Sequence, residues 1–260
     1  MLSGGPPSTR IVKGVSLGGW INFSEFYTMQ KPISKSELAF IENLSDSGNG
    51  LCVADIGANL GSFSLVFGIH RRNVVHAFEP VPETFTRFLR NVTANKIKGE
   101  IIPNCLAVSD RNAIVTIAVQ RSSPATNKIS GLQNNRHYVE GISYQGIGSV
   151  SLDEYAKRNN VVRFDFVKID VEGYEAAVLR GARSLYVERR IGKTLLEVCP
   201  RNLELCGFTL EGLFDEITMC NCDVFRLLPD GSLGEMLGLA ELKQIQLENV
   251  ILQLKPQYRN

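Results

Sequence analysis

One short stretch, Val53-Ala-Asp55-Ile-Gly57-Ala-Asn59-Leu-Gly61, limits most strongly what this chain can fold into. An apolar run from Leu51 to Ile56 ends in closely spaced small residues, and Ser62-Phe-Ser-Leu-Val-Phe then opens a helix-like pattern. This reads as a buried strand, a sharp turn and a helix. Glycines at such a turn let the backbone bend tightly and let a ligand approach it. Roughly 20 residues further on, a second apolar strand, Val74-Val-His-Ala-Phe78, ends in Glu79. A carboxylate there can accept hydrogen bonds from both hydroxyls of a ribose. Together the two features predict a nucleoside ligand beyond the carboxyl ends of a parallel sheet. The glycine spacing alone would also suit an ordinary βαβ turn without a ligand; Glu79 is what argues for the ligand.

The pattern is D-x-G-x-N-x-G, not the dinucleotide G-x-G-x-x-G. A diphosphate needs free backbone N–H groups at a helix N-terminus, and the carboxylate of Asp55 is poor company for it. Asp55 suits a ligand carrying an ammonium and a sulfonium, which points to S-adenosylmethionine. Further motifs follow in order: Ala77-Phe-Glu79-Pro80, Leu106-Ala-Val-Ser-Asp110, Ser151-Leu-Asp153 and Lys168-Ile-Asp-Val-Glu-Gly-Tyr-Glu175. With Asp55–Gly61 they resemble the FkbM family of S-adenosylmethionine-dependent methyltransferases, from about Asp55 to Ala182 and more faintly to Leu254. The first fifty residues are not covered. The resemblance implies an α/β fold: a doubly wound, mostly parallel, seven-stranded Rossmann-like class I methyltransferase sheet with an antiparallel last strand.

Composition sets wide bounds. The 260 residues suffice for one α/β domain with a large core, and a formal net charge of +1 implies no field for nucleic acid or an anionic membrane. No apolar run approaches the roughly 20 residues of a membrane span, and no signal-peptide pattern opens the chain. Cys52, Cys105 and Cys199 lie in apolar strand-like runs, where reduced buried thiols are expected. Cys220-Asn-Cys222 has no matching Cys/His pair, so zinc is not expected. The expected location is cytoplasmic.

Two regions are predicted: an N-terminal arm and capping helix over 1–50, and a methyltransferase domain over 51–260. Trp20, Phe23, Phe26 and Tyr27 make the arm either a packing strap or part of a lid. Ser34-Lys-Ser-Glu37 is a capping box that starts a helix through Leu44. Strand–helix alternation then begins. A helix after Pro82 carries Phe85, Phe88, Leu89 and Val92 on one face, a third strand lies within Ile101–Val108, and Ala113–Val119 alternates as an extra strand. Residues 121–150 are rich in Ser, Gly, Asn and Gln and read as an irregular insert near the acceptor site. Strands end at Asp170 and Val198, and Val224–Leu228 with Asn249–Leu254 reads as a terminal antiparallel pair.

The resemblance and strand-end logic assign roles. Gly57, Asn59 and Gly61 are expected at the amino-acid end of the donor, Asp55 at the turn or the donor ammonium, and Glu79 at the ribose. Ser109 and Asp110 are expected at adenine, with turn formation as the alternative for Asp110. Asp170 and Glu172 are expected to orient the donor, bind the acceptor hydroxyl or take its proton; Glu172 could instead serve a helix dipole. Glu197 stands beside the acceptor or in an ion pair. Of the three histidines, His76 reads as structural, His70 as ending a helix, and His137, in the insert, as a candidate base or a surface residue. Asp170, Glu172 and Glu197 are hard oxygen donors suited to magnesium, but no dedicated cage is legible and no metal is predicted.

The leading expectation is O-methylation of a small-molecule or glycan hydroxyl, without nucleic-acid partners. The alternatives are an N-methyltransferase on a peptide or protein side chain, a non-catalytic nucleoside-binding module and, least favoured, a nicotinamide oxidoreductase. The oligomeric state stays open.

Overall fold

The computed structural model describes residues 10–12, 15–17, 33–45, 50–120, 128–129 and 142–256. Trp20, Phe23, Phe26, Tyr27 and His137 lie outside the described residues. A short antiparallel pair, β1 (Arg10–Val12) and β2 (Val15–Leu17), precedes helix α1 (Lys35–Ser45). The predicted capping box forms: Glu37 N–H donates to Ser34 Oγ at 3.2 Å, and Ser34 N–H donates to Glu37 Oε2 at 2.5 Å.

Alternation follows: β3 (Cys52–Ile56), α2 (Ser62–Gly68), β4 (Val74–Phe78), α3 (Pro82–Ala94) and β5 (Glu100–Asn104). Pro82 stands in the first turn of α3, where its missing N–H costs nothing. The predicted third strand divides. After β5 the chain leaves the main sheet, and β6 (Ala107–Val108) joins β7 (Ala113–Gln120), β8 (Lys128–Ile129) and β9 (Ile142–Val150) in a four-stranded side sheet. The end of the predicted irregular segment is therefore ordered: Ile142–Val150 pairs antiparallel with β7 from Gln120↔Ile142 to Ala113↔Ser149. Next come α4 (Leu152–Arg158), β10 (Phe164–Ile169), α5 (Glu175–Gly181), α6 (Arg183–Val187), β11 (Ile191–Val198), α7 (Pro200–Leu205) and α8 (Leu210–Met219). The chain closes with β12 (Cys222–Leu227), β13 (Leu233–Met236), α9 (Leu239–Leu242) and β14 (Glu248–Leu254).

The main sheet has the order β13-β12-β14-β11-β10-β3-β4-β5. The five strands from β11 to β5 run parallel, and β14 enters antiparallel between β11 and β12. This is the expected doubly wound sheet with a reversed last strand, but with eight strands rather than seven. The extra strand comes from the Pro229-Asp-Gly231-Ser turn. There, Leu228 N–H donates to Ser232 carbonyl at 3.0 Å, folding β13 back on β12 before the chain reaches β14.

Side chains alternate across the sheet into two cores. Val53, Phe166 and Leu195 pack under α1, α2 and α3 with Phe40, Phe67 and Phe88, whereas Ala54, Val167 and Leu196 pack against α4, α5 and α8 with Tyr155, Leu179 and Leu213. Helices cover both faces, and Phe164, Phe166, Val167 and Ile169 of β10 are fully buried. The polar residues therefore gather where the strands stop. No disulfide forms among the six cysteines, all of which are described. Among the described residues no helix is long and apolar enough to cross a membrane.

Candidate active site

The ends of β3, β4, β10 and β11 carry the chemistry. At the end of β3, Asp55 is buried and turned toward α2: its Oδ2 accepts from Ser64 N–H at 3.0 Å and Ser64 Oγ–H at 2.6 Å. Burial raises its pKa, against the pull of Lys168 and Ser64. Of the two roles expected for Asp55, the geometry supports anchoring the turn.

That turn is saturated internally. The N–H groups of Gly57 and Ala58 donate to Phe78 carbonyl at 3.0 and 2.9 Å, Asn59 N–H donates to Glu79 Oε2 at 3.0 Å, and Gly61 N–H donates to Ala58 carbonyl at 2.8 Å. None of these four is left to cradle a diphosphate, which argues against a dinucleotide. Gly61 caps α2, and its Cα faces the Phe88 ring so closely that a Cβ would lie 2.3 Å from it. Gly61 thus serves packing, while Gly57 and Asn59 line the cleft.

Glu79 also lines that cleft. Its Oε1 accepts from Val81 N–H at 2.9 Å, opposite the Asn59 bond to Oε2. A carboxylate has about four lone-pair sites, so each oxygen keeps acceptor capacity toward the cleft. Burial pushes its pKa up to about 7, with the two backbone donors pulling it down. Ile56, Phe78, Val81, Leu106, Val108 and Ile117 form the apolar wall, so the side sheet contributes to the cleft through β6 and β7. A flat base and a ribose fit that combination of an apolar wall and an inward carboxylate.

Ser109 and Asp110 stand apart from the lining. Ser109 is buried with its Oγ 3.3 Å from Asp110 Oδ1, and Asp110 pairs with Arg111 at 3.1 Å and Arg180 at 3.6 Å. Val108, one residue earlier, takes the position expected of Ser109 because β6 ends before the chain turns outward.

Asp170 and Glu172, at the end of β10, close the cleft. Lys168 donates to Asp170 Oδ2 at 2.9 Å and to Gly57 carbonyl at 3.5 Å, lies 4.0 Å from Asp55 Oδ1, and sits over the Phe63 ring at 4.9 Å. Burial works against its charge, but Asp170 and Asp55 outweigh it and hold the ammonium protonated above its ordinary value. Lys168→Met removes the cation shared by two carboxylates. Losing one partner of a buried pair costs about 3–5 kcal/mol. Because the Asp170 side chain is one-third exposed, with 33% relative accessibility, we expect about 2 kcal/mol in chemical denaturation.

Glu172 has φ +56°, a left-handed conformation that a non-glycine residue adopts at a cost. Its neighbours enforce it. Glu175 Oε1 accepts from Val171 N–H at 3.3 Å and Gly173 N–H at 2.9 Å, and Asn202 Nδ2 donates to Glu172 Oε2 at 2.7 Å. Burial lifts the Glu175 carboxyl to about 7, while its Gly173 and Val171 N–H donors pull it down. Glu197, from β11, completes the group: one oxygen each of Asp170, Glu172 and Glu197 lie within 4.8 Å of one another. Burial, then the charges of Asp170 and Glu172, push the Glu197 carboxyl to about 9. Three carboxylates this close also form a donor set for a divalent ion, although Asp170 is already engaged by Lys168.

The fold brings together Gly57, Asn59, Glu79, Asp170, Glu172 and Glu197, keeps Asp55 and Gly61 behind them as support, and leaves Ser109 and Asp110 outside. Lys168, Glu175 and Asn202 emerge as supporting residues. Lys168 and Glu175 are the first and last residues of the motif that carries Asp170. Asn202 carries no local signal, because only the fold brings α7 to Glu172. His76 is structural as expected, with Nδ1 2.9 Å from Tyr155 Oη.

The description "Methyltransferase FkbM domain" fits residues 55–222, most of the chain. Hexuronic acid methyltransferase AglP of Haloferax volcanii is 30% identical over 127 residues, 49% of this chain and 48% of AglP, so the match spans about half of that relative. Methyltransferase 1 of Beauveria bassiana is 24% identical over 197 residues, covering 67% of this chain and 79% of that protein. A solved S-adenosylmethionine-dependent methyltransferase from Agrobacterium tumefaciens aligns at 10% identity with TM-score 0.48, covering 98% of this chain and 72% of that one. The motif order, the strand topology and the match over residues 55–222 agree: the chain belongs to the FkbM methyltransferase family, and its methyl donor is S-adenosylmethionine.

Proposed function

We propose that this protein transfers a methyl group from S-adenosylmethionine to a hydroxyl of a small molecule or glycan. One observation carries the reading: the donor cleft ends on Asp170 and Glu172, and these meet Glu197 where two further grooves begin. When bound, S-adenosylmethionine supplies a methyl group on a positively charged sulfur. Glu79 holds the ribose through its spare lone pairs, Gly57 and Asn59 lie along the amino-acid end, and Asp170, paired with Lys168, receives the ammonium. Glu172, fixed by Asn202 and Glu175, orients the acceptor hydroxyl and takes its proton. Glu197, close to Glu172 and already carrying its own proton at neutral pH, adds no second negative charge beside that base. A hydroxyl is a weak nucleophile, so a positioned base contributes about 10²–10⁴-fold. The hexuronic acid specificity of AglP agrees with a sugar acceptor. Strand β9, the described end of the 121–150 segment, pairs with β7, which contributes Ile117 to the donor cleft.

The test has two parts. S-adenosylhomocysteine should bind in calorimetric titration, and Glu79→Ala should lose at least about tenfold in affinity, the equivalent of one charge-assisted hydrogen bond. Incubation with methyl-labelled donor and a panel of alcohols, sugars and amines should yield methyl ethers. Methylation confined to amines would favour N-methyl transfer instead, and tight binding without any turnover would favour a binding module.

A further inference from the structure

Two grooves lead away from the three carboxylates along different walls. One follows α7 and residues 245–247, with Arg201, Asn202, Glu204 and Gln246 beside Leu205 and Leu247. The other follows the start of α1 and β14, with Ser34, Lys35, Ser36 and Asn249 beside Phe63 and Leu227. Both include Glu197 and Leu247; the first reaches the donor cleft through Glu172 and the second through Asp170. Among the described residues, the carboxylates therefore stand at the junction of the two grooves, in the middle of a trough.

The lining of the trough specifies an occupant. Beyond the carboxylate cluster its charges balance: Arg201 stands with Glu204 in one groove, Lys35 with Glu37 in the other, and Glu248 is held by Arg226 at 2.7 and 2.8 Å. Such a surface offers no net attraction to an anion. Arg201, Asn202 and Gln246 in one groove and Ser34, Ser36 and Asn249 in the other supply both donors and acceptors, which suits a hydroxyl, itself one donor and two acceptor sites. Leu205 and Leu247 are 65% and 63% exposed and give the trough an apolar ledge against which the C–H face of a sugar ring can lie.

We propose that the trough seats a neutral, linear oligosaccharide whose reacting hydroxyl lies on a sugar unit inside the chain. The proposal rests on the hydroxyl-methylation reading and narrows it. It also separates this chain from a uronate acceptor of the kind named for AglP.

The test uses the full chain loaded with S-adenosylhomocysteine. Cello- and malto-oligosaccharides of one to six units, and oligogalacturonate of matched length, are titrated by NMR. In at least one neutral series the dissociation constant should fall about tenfold or more from one unit to four, a gain of about 1.4 kcal/mol. Oligogalacturonate should bind more weakly than that series. Gln246→Trp in the first groove and Ser36→Trp in the second should each remove the length-dependent gain and leave monosaccharide binding in place. No length dependence in either neutral series, tightest binding by galacturonate, or sensitivity to only one of the two tryptophans would overturn the proposal. Binding of S-adenosylhomocysteine is measured first, before any saccharide is added. If it fails to bind, the methyltransferase site itself is misassigned and the trough falls with it; if it binds normally, only the trough is at stake.

Discussion

Gly57→Ala is expected to abolish donor binding and to destabilise the fold by about 2–5 kcal/mol, combining a left-handed backbone with an overfilled site. Gly57 has φ +82°, and a Cβ there would lie 1.8 Å from the Asp170 carbonyl oxygen. Neither atom can yield cheaply. Asp170 N–H donates to Ile56 carbonyl at 3.1 Å, so the ends of β3 and β10 are laced together beside the turn. Moving the turn would drag Asn59 off Glu79 and Lys168 off the Gly57 carbonyl, removing donor contacts at both ends of the cleft. Gly207→Ala is the control. Gly207 has nearly the same angle, φ +81°, but a Cβ there meets nothing within 4 Å. It should cost only about 1–2 kcal/mol of backbone energy and leave donor affinity intact. Chemical denaturation and calorimetry of the two variants separate clash from conformation. Equal losses would remove the clash from the explanation.

Stability is expected to fall by several kcal/mol as pH rises from about 5 toward 9, with each titrating carboxyl worth up to about 1.4 kcal/mol per pH unit. Glu79 and Glu175 are pushed by burial to about 7 and Glu197 to about 9, from an ordinary 4.5. The folded chain therefore holds protons that the unfolded chain has already released. For acids shifted upward, the stabilisation is complete below about 4.5 and disappears as pH passes through the folded values. S-adenosylmethionine brings positive charge to the carboxylates and should release protons from them. Its affinity should accordingly rise with pH between about 6 and 9, more than that of the uncharged-sulfur product. Denaturation at several pH values and calorimetry in buffers of different ionisation heat read both effects. A stability that rises over this range would contradict the burial of these three groups.

Much of this architecture was legible because local and global signals agree. The apolar runs at Cys52–Ile56, Val74–Phe78 and Phe164–Ile169, the Ser34–Glu37 capping box and the motif order place the parallel strands and the residues at their ends. Glu79, Asp170, Glu172 and Glu197 converge because each stands at or just past a strand end, where the period of two can be read from sequence. What escaped depends on contacts without local periodicity. The eighth strand is Leu233–Met236, four residues that only their pairing with β12 makes into an edge. Ser109 and Asp110 resemble adenine-contacting residues in position, but neither lines the cleft: Ser109 is buried beside Asp110, and Asp110 pairs with Arg111 and Arg180. Strand β9 is rich in Ser, Gly and Gln and is specified by β7, not by its own composition.

The left-handed backbone of Glu172 has a consequence for how sequences at this site can drift. On backbone energy alone the position would favour glycine by roughly 1–2 kcal/mol. On the proposal that Glu172 takes the acceptor proton, a lineage released from the need to methylate would gain stability by losing that carboxylate first, while Asp55, Gly57 and Glu79, which brace the sheet ends and the turn, would persist. An intact donor-binding signature in a relative of this chain is therefore weaker evidence of catalysis than a charged side chain kept at this one uncomfortable position.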